Sequence, residues 1–392
     1  MITRKALEIL ENNLVITRNV NRQYDDSYAV EGAKIGTTLR IRLPDRALVT
    51  DGAALQVQDD NEQFTTLTVA SQKHIGVNFT TAEMTMQLDD FAERVLKPRI
   101  SQLASSIDAD VANSFNNIYQ SVGTPGTTPG TSLVLLQAQQ KLNEAAAGMS
   151  PRYATVNPAA NAALVEGMKG LFNPVSTISK QFKSGLMGEG ILGYDELAMS
   201  QSIKQFTTGT RSGSHTVTTT VSAQGTSTIA ITGTGTQTIK KGDVFTIANV
   251  YSVNPQTRES TGSLQQFVCT EDVAAAGGAY AAVKISPAIY TSSVALATVD
   301  SFPQAAAAIT FLGGASSQYP QNLVYHRDAI AFATADLLLP QGVDMASRQV
   351  HNGVSMRVVR QYDINNDRMP CRIDVLYGYS VIRPQMAVRL WG

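Results

Sequence analysis

Residues 228–250 read TIAITGTGTQTIKKGDVFTIANV. Two readings compete for this stretch. Gly233-Thr234-Gly235 followed by Lys240-Lys241 has the look of a loop that cradles phosphate. The same residues also suit the turns of a small β-sheet. A phosphate loop needs Gly-x-x-x-x-Gly-Lys-Ser/Thr set between a strand and a helix, because the helix N-terminus presents its amides to the anion. Here apolar residues alternate on both sides, in STIAITG and DVFTIANV, and the lysine pair runs into Gly242-Asp243. Alternation with period two marks strands, and Gly242 suits a turn that requires positive φ. The stretch predicts strand, turn, strand, with Lys240, Lys241 and Asp243 at an exposed turn.

The same texture extends in both directions. From Thr207 to about Gly314 the chain is rich in Thr, Ser, Gly and Val, with further alternation in LQQFVCTEDV and AAVKISPAIY. Short strands with tight turns predict a small all-β barrel domain over 207–314. Outside it the pattern changes. Residues 85–119, TMQLDDFAERVLKPRISQLASSIDADVANSFNNIY, place Phe91, Val95, Ile100, Leu103, Ile107, Val111, Phe115 and Ile118 on one helical stripe. Thr85 or Asp89 offers a cap, and Pro98 marks a kink or a junction of two segments. Residues 132–148 predict a helix stopped by Gly148, RYATVNP a buried strand, and 159–172 a further helix. The stretch 173–203 reads as Gly-rich, then strand-like after Gly193. After Gly314, NLVYHRDAIAFATADLLLP reads as a strand and then, from Arg327-Asp328, a short helix or strand. VSMRVVRQYD and CRIDVLYGYSVIRPQMAVRLWG read as strands, and the last strands are expected to pair with those before Thr207, which makes 207–314 an insertion in a discontinuous domain.

At the N-terminus, Ala6, Leu7, Leu10 and Leu14 share one face of a short amphipathic helix, followed by the polar tail TRNVNRQYDD. Glu8, Glu11 and Asn12 interrupt the apolar residues, unlike a signal peptide, so synthesis in the cytoplasm is expected. No stretch is long and apolar enough to span a bilayer, so no membrane partner is expected. Residues 28–80 read as a long two-stranded excursion, with Leu39, Ile41 and Leu43 alternating with Arg40 and Arg42, and a second strand over 64–80. A ribbon of this kind has little core of its own and gains order by lying on another surface.

The chain has 392 residues, a formal net charge of −1 and 16% charged residues, where about a quarter is usual. Lack of charge fits a Thr-rich β domain or surface buried against identical neighbours. No basic cluster serves a dedicated nucleic-acid grip. Cys269 and Cys371 stand far apart and read as two reduced thiols. His74, His215, His326 and His351 have no partner at helical ligand spacing. Asp363, Asn365 and Asp367 in YDINNDR imitate the start of a calcium loop, but Arg368 occupies the glycine position. Asp108 and Asp110 do not share a helical face and read as solvated. No nucleophile stands with a base. Catalytic, cofactor and metal residues are therefore expected to be none.

The order of parts resembles a tailed-bacteriophage major capsid protein of the HK97-type fold, and more closely the P22-like coat family. TMQLDDFAERVLKP (85–98) is similar to the start of the family's spine helix, and ILGYDELAMSQSI (191–203) to its segment leading into the insertion. IKKGDVFTIANV (239–250) resembles a strand-turn segment of the inserted domain. CRIDVLYGYSVIRPQMAVRL (371–390), with Arg383-Pro384, resembles its closing strands. The resemblance implies an α+β fold with an N-terminal arm at 1–27, an extended loop at 28–80, a peripheral domain with the spine helix at 81–130, an axial domain at 131–206 and 315–392, and the inserted barrel at 207–314. It implies a non-enzymatic subunit of an icosahedral shell, as hexamers and pentamers, with scaffolding protein, a portal at one vertex and weakly held double-stranded DNA as partners. The alternative is an encapsulin-like cellular nanocompartment of the same fold.

Overall fold

A computed structural model describes residues 2–24, 38–49, 52–53, 57, 63–80, 97–168, 188–366 and 368–392. The chain divides into two units. The first comprises residues 1–41, 64–112 and 330–382; the second comprises 42–63, 113–329 and 383–392.

The first unit is built on one six-stranded sheet in the order Asn21–Tyr24, Ile330–Ala335, Arg368–Val381, Val354–Arg360, Met345–His351, with Ser71–Thr80 also paired to Arg368–Val381. The hairpin between Met345–His351 and Val354–Arg360 turns on Asn352 and Gly353, both at positive φ, the conformation that suits the twist of a two-residue hairpin loop. The N-terminal helix, Ile2–Asn13, buries Ala6, Leu7 and Leu10, and Leu14 just beyond it is 2% exposed. The long helix is described over Lys97–Ala112, with Ile100, Leu103, Ile107 and Val111 buried. Pro98 lies next to the first described residue of this helix. Thr85, Asp89, Phe91 and Val95 fall outside the described residues.

Several expectations change here. The polar tail after the first helix is not a tail. Ile16–Asn19 forms a short helix and Asn21–Tyr24 pairs in parallel with Ile330–Ala335. The arm therefore completes its own subunit, because its apolar face has no other place to hide from water. Residues 64–80 break into Phe64–Thr68, paired with Thr38–Arg42 as a ribbon, and Ser71–Thr80, which joins the main sheet. Residues 330–382 sit with the long helix rather than with the remainder of 315–392.

Asp108 is also not solvated. It is 1% exposed and accepts hydrogen bonds from the Val15 amide at 2.6 Å, the Thr17 amide at 3.0 Å and the Thr17 hydroxyl at 2.6 Å. The helix Ile16–Asn19 has no side-chain cap of its own. The open amides at its start are thus satisfied from the long helix. Burial pushes the Asp108 carboxyl up, against the pull of those donors. Asp110 pairs with Lys73 and accepts the Tyr377 hydroxyl at 2.7 Å.

The second unit holds two β structures. One is a sheet in the order Ser121–Val122, Ala387–Trp391, Gln318–His326, Arg152–Val156, Tyr194–Met199, Gly188–Ile191, with Gln205–Thr207 paired to Gln318–Pro320. Helices Ser132–Glu144 and Pro158–Gly167 pack into its core through Leu135, Ala138, Leu142, Ala160 and Leu164. Asn157 caps the second of these by accepting the Ala160 amide at 2.8 Å, and Pro158 follows at a position that needs no amide donor. The first ends at Glu144, not Gly148. Ala146 takes the left-handed conformation, and the Ala147 amide closes back on the Leu142 carbonyl at 2.9 Å.

The other structure is a closed antiparallel barrel of His215–Val217, Thr226–Thr232, Ala279–Ile289, Ser260–Cys269, Val244–Val253 and Ala308–Phe311. Ile229, Ile231, Phe245, Ile247, Phe267, Val283 and Ile285 fill it. Closure leaves no strand edge open. The opening stretch is strand, turn, the short strand Thr238–Ile239, turn, strand.

Two outcomes test the first unit. Asp108→Ala leaves buried amides unpaired, so subunit stability is expected to fall by about 1–3 kcal/mol, measured by urea unfolding. Amide exchange at residues 15–17 should rise in parallel; unchanged protection there would exclude the capping role. Glu11 gives a pH test. Burial raises its carboxyl, but donors from Asn352, His351 and Arg22 outweigh burial and hold it below the ordinary value of 4.5. A depressed carboxylate stabilises above its unfolded value, and that contribution is lost as pH falls through the folded value. The thermal midpoint of Glu11→Gln should lie below that of the unaltered chain near pH 7. The gap should close on acidification; a gap constant down to pH 3 would contradict the assignment.

Candidate functional site

The most concentrated charge chemistry in the second unit lies where the barrel meets its stem. The chain enters along Gln205–Thr207 and returns along Gln318–Pro320, paired side by side. Thr208 locks the exit, its hydroxyl donating to Gly314 O at 2.6 Å while accepting the Ser317 amide at 3.0 Å. Just inside, Arg211 and Asp243 form an ion pair of 3.0 Å with side chains 2% and 0% exposed. Arg211 also donates to the Leu312 and Gly313 carbonyls and lies 4.5 Å from the Phe311 ring centroid. Asp243 accepts the amides of Lys240 at 2.8 Å and Gly209 at 3.1 Å. A Cβ on Gly209 would meet Thr238 O at 2.2 Å, so this approach admits only glycine.

Asp243 therefore departs from its expected place at an exposed turn. Lys241 is exposed and Lys240 half-buried, while Gly242 and Asp243 face inward. Gly242 has φ +97, as the sequence required, and a Cβ there would meet Asn116 Oδ1 at 2.5 Å.

Gly242 is also where the barrel is tied to the strand sheet. Arg389, fully buried in Ala387–Trp391, donates to Gly242 O at 2.6 Å and to Gln321 Oε1 at 2.8 Å. Its guanidinium lies 5.2, 5.2 and 4.9 Å from the ring centroids of Phe115, Phe206 and Trp391. Burial pushes it down to about 9, with the Asp243 carboxylate opposing, and it keeps its proton at neutral pH. A second tie is Gln266 of the barrel, whose side-chain amide accepts from Ser121 N at 2.7 Å and donates to Ser121 O at 3.0 Å, as a neighbouring strand would.

The other residues weighed in the sequence stay apart. Cys269 and Cys371 are free and buried, and burial first, then Asp243, pushes the Cys269 thiol well up. A protonated buried thiol is inert. His215 packs inside the barrel against Tyr280 and Phe311, and burial lowers its pKa. His351 contacts Glu11. Asp363 is spent within its own turn, accepting from Asn365 N at 3.1 Å and Asn366 Nδ2 at 2.8 Å; Asp367 lies outside the described residues. No group of three or more metal-ligating side chains occurs among the described residues. Arg389 was not singled out from the sequence. Its signal is a lone charge inside the apolar run Ala387–Trp391.

These charges fix one piece of structure against another. The class of protein is given by the sequence, as a coat protein. The family model described as "P22 coat protein - gene protein 5" matches residues 1–392. The chain belongs to the P22 coat protein family, whose members are major capsid proteins forming the phage shell. Its place is the virion, and its copies assemble with one another. The full-length match favours the phage coat over the cellular nanocompartment. No curated protein matches the sequence. Among solved structures the chain is similar to one from Mycobacterium phage Che8 (12% identity, TM-score 0.48, covering 96% of this chain and 90% of that one). It is also similar to the capsid of cyanophage P-SCSP1u (11%, 0.46, 96% and 88%) and the mature capsid of bacteriophage PhiM1 (11%, 0.45, 96% and 86%). The assignment rests on the family match and not on these.

Asp243→Ala strands the Arg211 charge in a dry site, so urea unfolding of the unassembled chain should show a loss of about 3–5 kcal/mol. Arg211→Met with Asp243→Leu removes both charges and should cost much less. Additive single losses would show that the pair does not act as a unit.

Proposed function

We propose that copies of this chain close into the icosahedral head of a tailed double-stranded DNA phage, as hexamers and pentamers, around the packaged genome. Assembly takes place in the host bacterial cytoplasm with scaffolding protein and with a portal at one vertex. The observation that carries this reading is the family match along the whole chain. The subunit has no catalytic role in it.

Within an HK97-type arrangement, residues 1–27 act as the N-terminal arm and 28–80 as the extended loop. The long helix and the six-stranded sheet serve as the peripheral part, and the sheet of the second unit as the axial part. The barrel over 207–314 is the insertion, on the outer face. Its paired stem supports this reading, since an inserted domain must leave and return at one place. A net charge of −1 supports weak, non-specific contact with DNA, because a strong grip needs clustered cations that displace counterions. Many modest contacts repeated over a closed lattice give a stable shell without a tight pair.

Expression of the chain with its neighbouring reading frames, followed by electron microscopy, should yield closed shells tens of nanometres across. A stable monomer or small oligomer with measurable turnover would overturn the reading.

A further inference from the structure

Residues 111–140 contain no Asp, Glu, Lys, Arg or His, in a chain where 16% of residues are charged. That uncharged run includes an exposed surface. The helix Ser132–Glu144 buries Leu135, Ala138 and Leu142, yet on its outer side Leu133 is 59% exposed and Leu136 43% exposed. Gln137 and Gln140 continue that side. A solvent-facing helix side normally carries charges. Beside it lies a groove of about 320 Å³ lined by Gly123, Thr127, Pro129, Val134, Gln137 and Trp391 among others, again without a charge.

The groove wall is held in place. Ser121–Val122 pairs in parallel with Ala387–Trp391, the Gly126 amide donates to Gly392 O at 3.3 Å, and Gly130 packs so closely on Gly167 that a Cβ there would lie 1.8 Å from its carbonyl oxygen. The groove floor rests on Trp391, which is fully buried beneath it. A fixed, uncharged, partly apolar concavity beside two exposed leucines has the composition of an interface core.

We propose that the outer side of helix Ser132–Glu144 and the adjoining groove form a seat for a second copy of this chain, which brings an uncharged segment. The inference rests on the shell reading, which supplies the occupant: a coat subunit meets copies of itself across most of its edges. The charges at the end of this side, Lys141 and Glu144, are paired with each other, so a highly charged partner such as DNA would find little cationic surface here.

The test places p-benzoylphenylalanine at position 136 of the full chain and irradiates assembled particles. Adducts of twice the subunit mass, mapping to residues of another copy, are expected. No adduct, or adducts only to a different protein, would overturn the proposal. In parallel, Leu133→Glu with Leu136→Glu should lower shell yield about ten-fold or more, because an unpaired charge is buried at every repeated contact. Leu133→Gln with Leu136→Gln should lower it less. Urea unfolding of the unassembled Glu variant should match the unaltered chain. Shells at full yield from the Glu variant would also overturn it. If the unaltered chain forms only a small oligomer, the shell reading fails, while the crosslink still reports whether this surface meets a second copy.

Discussion

A guanidinium removed from water must be repaid by partners, and Arg389 finds them on both sides of a junction. On one side stand Gln321 and the rings of Phe115, Phe206 and Trp391; on the other stands the carbonyl of Gly242 in the barrel. Neither side alone would make the buried charge tolerable. Arg fits this role and Lys would not, because a planar fork can donate in two directions while its face stacks on aromatic rings. The barrel is thereby held at one place against the sheet of its own unit. Arg211 and Asp243, one layer further in, brace the turn that carries Gly242. Two close approaches, at Gly209 and Gly242, leave no room for a Cβ and let these groups meet.

The first unit uses the same principle with a carboxylate. Asp108 reaches from the long helix to amides at 15–17, and the N-terminal segment then runs into the sheet as Asn21–Tyr24. Glu11, Arg22 and Asn352 close a second contact between the first helix and the hairpin turn. A segment held in this manner belongs to the folded subunit.

Much of this was legible in the sequence, and the misses share a cause. Alternation over 228–250 and its turn glycines predicted strand, turn, strand, because period two and positive φ are local properties. The helical stripe from Ile100 to Ile118 predicted a buried face for the same reason, and every one of those apolar positions is buried. Asp243, Asp108 and Arg389 were misread or passed over. Charged residues look solvated until a partner is known, and the partners here are remote: Arg211 for Asp243, residues 15–17 for Asp108, Gly242 for Arg389. Local pattern also could not tell that the polar stretch around Asn21 would find a parallel neighbour at Ala331. The division of 315–392 was likewise hidden, since CRIDVLYGYSVIRPQMAVRL reads as one run of strand while its halves serve different sheets.

The paired stem has a further consequence, for the route by which the chain folds. Arg152–Val156 must find Gln318–His326, and the longest compact piece of the chain between them is the barrel. Loop-closure entropy rises with the length of slack chain, by about 0.6 kcal/mol for each doubling. A barrel that folds first converts its own residues from slack into a compact body whose two ends already lie together at Thr207 and Gln318. The sheet then closes over a much shorter effective loop. Its contact order in the remaining search falls, and long-range pairing of this kind is the slow step in β-rich chains. A barrel closed early would thus shorten the remaining search for the sheet.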